Sequence, residues 1–382
     1  MKDIMYVYNK DQVTAVMLSI KHVIILVVAV LLLSIGAAAF YKIFFTAHSI
    51  KIGYIFPGPV NEKGWNMEHY DAVKKACAHQ GLELIYRDNV PEAMDPASRA
   101  VESLIDEGAL AIIINNHNYH SAILPAIKKH PEILFLTTSK KNISSNTIPY
   151  FIRSYQAHYL AGLLAGMKSK TGNIGYLVGY NVAEAQRAVS AFTIGVRTVN
   201  REATVYVKYT NNWNDIAKQK TDAENLIKNH DVDIITGYLN TPDAYKEAAR
   251  EHGIYSIGFN SRRDVNDPKE LTSVVINWQK AYGIILRRIV RYFTGRIENI
   301  PVAWLGVNED VVGIDGISSE IDPSYGIMLE NARRDLIEGR DVFDGTVYDN
   351  HDELRFDKTD PVSDEALLDK FDWLVEGCEV VK

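Results

Sequence analysis

The chain is 382 residues long, 47% hydrophobic and 23% charged, which describes globular material with room for two domains and excludes intrinsic disorder. Its formal charge is −7 with no Lys/Arg cluster along it, so no nucleic-acid partner is expected. Cys77 and Cys378 are too few to build a cysteine zinc site or a disulfide-dense scaffold.

Residues 1–22 form a flank that carries Lys2, Lys10 and Lys21. From Val23 to Phe40 there are 18 residues without a charge, about the minimum for a helix that spans ~30 Å of hydrocarbon. The basic flank predicts a cytoplasmic amino terminus, with the bulk of the chain outside the cytoplasm. Two fates are open for residues 23–45. Ala37-Ala38-Ala39 fits a cleavage site, whereas Phe40, Tyr41, Phe44 and Phe45 around Lys42 fit the interfacial belt of an uncleaved anchor, the favoured outcome.

Beyond Ser49, short apolar runs alternate with longer amphipathic ones, the pattern of βαβ units on a parallel sheet. Strands are predicted over Lys51–Phe56, Glu83–Arg87, Ala111–Ile114 and Ile133–Thr137, with helices over Asn66–Gln80, Pro96–Glu107 and Ser121–His130. A second series follows. Its helices are Tyr155–Ser169, Glu184–Val199, Asp215–Asn229 and Pro242–Glu251, and its strands are Asn173–Val178, Thr204–Tyr209, Asp233–Thr236 and Ile254–Phe259. Strand Leu271–Ile276 and helix Trp278–Thr294 come next, then an irregular stretch to Val311.

One sheet holding all these strands would be unusually wide, so two doubly wound, Rossmann-like lobes are expected. Residues 50–154 with about 279–308 form the first lobe and 155–278 with about 309–349 the second, the later stretch returning across the interface to complete both sheets. Residues 350–382, rich in Asp and Glu with a short amphipathic end at Leu367–Val375, read as an acidic peripheral tail.

In open α/β sheets, ligands bind beyond the carboxyl ends of the strands. The loops there offer Glu62, Trp65 and Asn66 after the first strand, and Asn115, Asn116, His117 and Asn118 after the third. Later strands contribute Tyr180, Asn181, Asn240, Asn260, Asn277 and Trp278. Amides with donor and acceptor groups, together with flat rings, suit a planar polar heterocycle. A phosphorylated ligand fits poorly, because no P-loop or GxGxxG follows any strand. Each asparagine also has a plainer reading as a turn former or helix cap, and each tryptophan as core. His117 and His120 lack a Cys or carboxylate partner, so no metal is expected, and no cofactor is implied. No GxSxG, HExxH or CxxC occurs. A Glu62–His117 acid–base pair can be drawn, but an enzyme ranks behind a binding protein.

The stretch KIGYIFPGPVNEKGWNMEHYDAVKKA from Lys51 to Ala76 resembles the opening of the Bmp family, the PnrA-like substrate-binding proteins of ABC transporters. NVPE from Asn89, SYQAHYLAGLLAGMKSKTGNIGYL from Ser154, AFTIGVRTVN from Ala191, NNWND from Asn211 and LTSVVINW from Leu271 continue the likeness in order and spacing. The resemblance implies a type I periplasmic-binding fold, two Rossmann-like lobes joined by a multi-strand hinge, that closes on a purine nucleoside or nucleobase and delivers it to permease and ATPase subunits. It places the first-loop aromatic at Trp65, the first-loop acid at Glu62, the third-strand loop at Asn115 and Asn116, and the second lobe's aromatic near Tyr180. Where the resemblance implies an Asp and a Lys at ribose hydroxyls, this chain has Asn260 and Ile276, with Trp278 beside them. A free base such as adenine is therefore expected. The family's lipobox cysteine is absent, so the amino-terminal segment would replace a lipid anchor. A rival is a membrane-tethered sensor of the same fold that signals to a partner.

Overall fold

In the computed structural model, residues 22, 24, 25, 27–36, 50–62, 64–114, 116–138, 144–359, 362–369 and 371–382 are described. Residues up to Ile50 form one unit and Lys51–Lys382 another. The described residues from His22 to Gly36 are helical, with exposed side chains that include Ile25, Leu32 and Leu33. Much of the expected anchor lies outside the described residues. Among those described, no helix is long and apolar enough to cross a membrane.

From Lys51 the chain forms β1 (Lys51–Ile55), α1 (Trp65–His79), β2 (Glu83–Arg87), α2 (Met94–Asp106), β3 (Ala109–Ile114), α3 (His117–Lys129), β4 (Leu134–Thr137) and β5 (Thr147–Ile152). Then come α4 (Ser154–Lys168), β6 (Asn173–Val178), α5 (Ala183–Val199), β7 (Thr204–Tyr209), α6 (Ile216–His230), β8 (Ile234–Tyr238), α7 (Asp243–His252) and β9 (Tyr255–Phe259). The remainder is β10 (Glu270–Ile276), α8 (Trp278–Phe293), β11 (Ala303–Leu305), β12 (Val312–Ile314), α9 (Gly326–Ile337), β13 (Val347–Tyr348), β14 (Leu354–Phe356), α10 (Asp364–Asp369) and β15 (Cys378–Val381).

Two sheets result. The first has the order β11-β5-β4-β3-β1-β2, and each pairing in it is parallel. The second has the order β12-β10-β9-β8-β6-β7-β15 and is parallel apart from β12, which runs antiparallel to β10. Strands buried on both faces explain the continuous apolar runs: Ile112, Ile113 and Ile114 of β3 are fully buried. The first lobe's core gathers Ile55, Val101, Leu104, Ile112, Ile123 and Phe135, and the second's includes Leu177, Leu226, Ile235, Leu239 and Tyr245.

The chain crosses between lobes after β5, after β10 and between β11 and β12, because α4 packs on α5 and β10 whereas α8 packs on α1. Arg153 N–H donates to the Leu305 carbonyl and Asn277 N–H to that of Val311, which ties the crossings together. Both sheets therefore present their carboxyl ends to the region between them.

Several segments differ from the sequence reading, among them β11, in the stretch expected to be irregular, and α9, where no element was expected. Strand β5 lies where no element was expected, since Pro149 sits in it and proline is depleted from ladder interiors. Helix α3 begins at His117, four residues early, because the Asn116 side chain accepts from Asn118 N–H (2.9 Å) and caps it there. The acidic carboxyl-terminal segment is not peripheral. Strand β15 joins the second sheet beside β7, and Phe371, Trp373, Leu374 and Val375 are buried. Its acidic residues, such as Asp372 and Glu376, point outward, and that alternation hid the apolar set.

Candidate functional site

The loop after β1 turns through Gly64 (φ 145°) into α1. Gly64, preceding the helix, carries no side-chain cap, and Glu62 supplies the missing acceptor: Asn66 N–H donates to its Oε1 at 3.2 Å and Asn66 Nδ2 to the same oxygen at 2.5 Å. Helical spacing then aligns Trp65 with Glu68 and His69, three and four residues on. The Trp65 and His69 rings lie 3.9 Å apart, and His69 lies 4.1 Å from Trp278, the first residue of α8. Trp65 meets Trp278 edge to face at 5.7 Å and 79°.

Beneath these rings runs a buried hydrogen-bond chain. His69 Nδ1 is 2.6 Å from the Tyr282 hydroxyl, which is 3.0 Å from that of Tyr54. Full burial pushes the His69 imidazole down to about 3 and the Tyr54 phenol well above its usual value, so both are neutral. Three polar atoms at this cluster are buried without a partner: His69 Nε2, Trp278 Nε1 and Asn66 Oδ1.

The second lobe faces this cluster through the turn after β9. Asn260 adopts a left-handed backbone (φ 56°), is fixed by its N–H to the Val274 carbonyl (2.9 Å), and donates from Nδ2 to Glu68 Oε2 at 2.9 Å. Burial raises the Glu68 carboxyl to about 7, partly offset by that amide. Asn260 Oδ1 and Ser261 Oγ are buried without partners. Elsewhere at this lobe's strand ends, Tyr238 stacks on Phe259 (4.7 Å, 27°), and Trp213 lies 5.4 Å from Tyr180 and 6.4 Å from Tyr238.

Among the residues singled out from sequence, the structure gathers Trp65, Asn66 and Trp278, adds Glu62 as their support, and sets Asn260 across from them. Asn277 is exposed and caps α8, accepting from Lys280 N–H (3.0 Å), and Asn116 caps α3 while its amide donates to Glu92. Those two follow the plainer reading. Tyr180 is 40% exposed, and Asn240 donates to Asn214 Oδ1 (2.6 Å). Asn115 and the side chain of His117 lie outside the described residues. Sequence reasoning missed Glu68, His69 and Trp213. The signals were present: the first two repeat the helical spacing from Trp65, and Trp213 follows β7. Among the described residues, no group of three or more His, Cys, Asp or Glu side chains is arranged to hold a metal ion.

His158 parallels His69 in the second lobe. It is buried, pairs through Nδ1 with the Tyr176 hydroxyl (3.0 Å), and is also pushed down to about 3. Unfolding frees both histidines to titrate near 6.5, so the unfolded chain binds more protons below that pH. Stability should be insensitive to them above pH 7 and fall between pH 6.5 and 3, by about 1.4 kcal/mol per pH unit for each histidine. Urea unfolding midpoints followed across that range check this. A His158→Gln variant that leaves the slope unchanged would count against it.

The model of PnrA-like ABC transporter substrate-binding proteins matches residues 49–334. The chain belongs to that family. A purine-binding protein of Brucella abortus is 30% identical over 266 residues, covering 69% of this chain and 74% of the relative. Among solved structures, a solute-binding protein of an Aeropyrum pernix ABC transporter system superposes with a TM-score of 0.63 at 16% identity, covering 76% of this chain and 92% of that one. A transcriptional activator of the comK gene from Bacillus halodurans gives 0.65 at 19% identity, covering 76% and 98%. The PnrA-like assignment accounts for the two lobes and the crossings between them. It is a family of substrate-binding proteins of ABC transporters.

Proposed function

We propose that the chain captures a free purine base, adenine foremost, between its lobes and delivers it to the permease and ATPase of an ABC transporter. The observation that carries this is the ring cluster of Trp65, His69 and Trp278 with its three unpartnered buried polar atoms. Buried polar groups in folded proteins nearly always have partners, so the Trp278 donor and the Asn66 acceptor left open beside flat rings, with an imidazole nitrogen alongside, suit a planar ligand with both functions on its edge. The Brucella relative's name supports a purine. Asn260 and Ile276, standing where the family resemblance implies charged ribose contacts, favour a base over a nucleoside.

Closure is a two-state equilibrium that ligand contacts to both lobes bias toward the closed form. Residues 23–45 act as an uncleaved anchor that keeps the lobes on the outer face of the membrane. A second reading, a tethered sensor of the same fold, is favoured by that apolar segment and by the structural likeness to a transcriptional activator. A kinase or cyclase gene beside this one, with no permease gene, would support it.

The test is isothermal titration of the full-length chain in detergent with adenine. Trp65→Ala should weaken binding by about 1–3 kcal/mol, the range of base–aromatic stacking contacts. Unchanged affinity would remove Trp65 as the platform.

A further inference from the structure

The bond between Glu68 and Asn260 joins the two lobes, and its composition is specific. A carboxyl oxygen accepts on one side, a primary amide donates on the other, and Asn260 Nδ2 retains a second hydrogen while Glu68 retains its Oε1. The pair therefore offers an acceptor and a donor side by side. Asn260 is held rigidly by its left-handed turn and its bond to Val274, and Glu68 is one helical turn from the Trp65 ring.

One edge of a free purine base matches this pair. N9–H and N3 are both bonded to C4, so a donor and an acceptor stand side by side as in an amidine. A nucleoside lacks that donor, because N9 carries the sugar. We propose that Glu68 is the specificity-determining residue of the cleft, its carboxylate accepting N9–H of a free purine base while the Asn260 amide donates to N3. This rests on the purine reading above and adds to it the edge that is read and the residue that excludes nucleosides.

The groups around Glu68 are compatible with this role. On its own helix His69 is neutral, and Glu62 in the preceding loop is engaged by Asn66. Opposite stands the uncharged Asn260, followed by the uncharged Ser261, and α8 sets Trp278 and the Tyr282 hydroxyl against His69, the next residue on the helix. The ordinary ion-pairing role of a half-buried glutamate is thus not supplied by these neighbours, and a ligand N–H is a suitable partner for it.

The experiment is isothermal titration of the full-length chain in detergent with adenine and with 9-methyladenine, in which a methyl group replaces the N9 hydrogen and removes the donor. Wild type should bind adenine at least about 100-fold more tightly, as sites built around a buried hydrogen bond do. Glu68→Ala, checked for folding by circular dichroism, should bring the two affinities to within about threefold, by removing the acceptor on which the discrimination depends. Because the accepting form is ionised and the free carboxyl sits at about 7, wild-type affinity for adenine should also rise roughly tenfold from pH 6 to pH 8. Equal binding of both compounds by wild type, or affinity that falls as pH rises, overturns the role of Glu68 and leaves the purine reading standing. Binding of neither compound overturns both.

Discussion

Gly162→Val should destabilise the second lobe by about 3 kcal/mol or more, at the upper end of what overpacking costs. Helices α4 and α5 pack along small residues. A Cβ at Gly162 would lie far inside contact with the Phe192 carbonyl oxygen, one at Gly166 would sit 2.5 Å from the Val196 oxygen, and one at Gly195 would meet the Tyr159 carbonyl. The obstacles are backbone atoms, which no rotamer change can move, so the helices must separate. Helix α4 is buried nearly all round, from Ser154 to Gly166, and separation would open gaps against β10 and β12 as well. Gly283 of α8 is the matched control. A Cβ there meets nothing nearer than the Arg287 guanidinium at 3.8 Å, so Gly283→Ala should be neutral or stabilise by about 0.5–1 kcal/mol. Urea unfolding of the two variants gives the comparison, and similar midpoints would refute the close-packing account.

Phe371→Ala is expected to cost about 3–5 kcal/mol, the usual range for removing a buried phenyl ring. The ring is 1% exposed, stacks on Trp373 at 4.2 Å and 27°, and lies 5.0 Å from Phe343. These residues lie past the family-matched segment, which ends at residue 334. They are nonetheless fastened to the lobe: Val375 N–H donates to Ser190 Oγ (3.3 Å), Arg187 donates to the Leu367 carbonyl (2.7 Å), and β15 extends the sheet. Thermal unfolding reads the effect directly. A loss below about 1 kcal/mol would mean that the segment is a detachable appendage, as its acidity suggested, rather than part of the core.

That contrast shows what the sequence makes legible. The doubly wound lobes could be read because their buried strands are short apolar runs and their helices end at glycines such as Gly81 and Gly253, both in left-handed turns. Strand β5 and the carboxyl-terminal segment could not, because Pro149 in one and the acidic residues Asp369, Asp372 and Glu376 spaced through the other carry signals of the opposite kind. At the site, periodicity shows that Trp65, Glu68 and His69 share a helix face, but which face meets the other lobe depends on three chain crossings far apart in sequence. The asparagines show the converse limit. An Asn at a strand end caps a helix as readily as it meets a ligand, and both Asn277, which does the former, and Asn260, which reaches the other lobe, directly follow a strand.

Arg153 stands at the first crossing, and its guanidinium lies 3.8 Å above the Trp304 ring of β11 while donating to Asp364 at 2.7 Å, with Asp341 at 3.8 Å. Both carboxylates belong to the segment that β15 anchors on the second lobe, and Trp304 belongs to the first. Any swing of one lobe against the other must therefore either slide the guanidinium across the indole or stretch its ionic tether. The carboxyl-terminal segment, which lies past the family-matched stretch, thus ties the first crossing to the second lobe and puts resistance on the pivot.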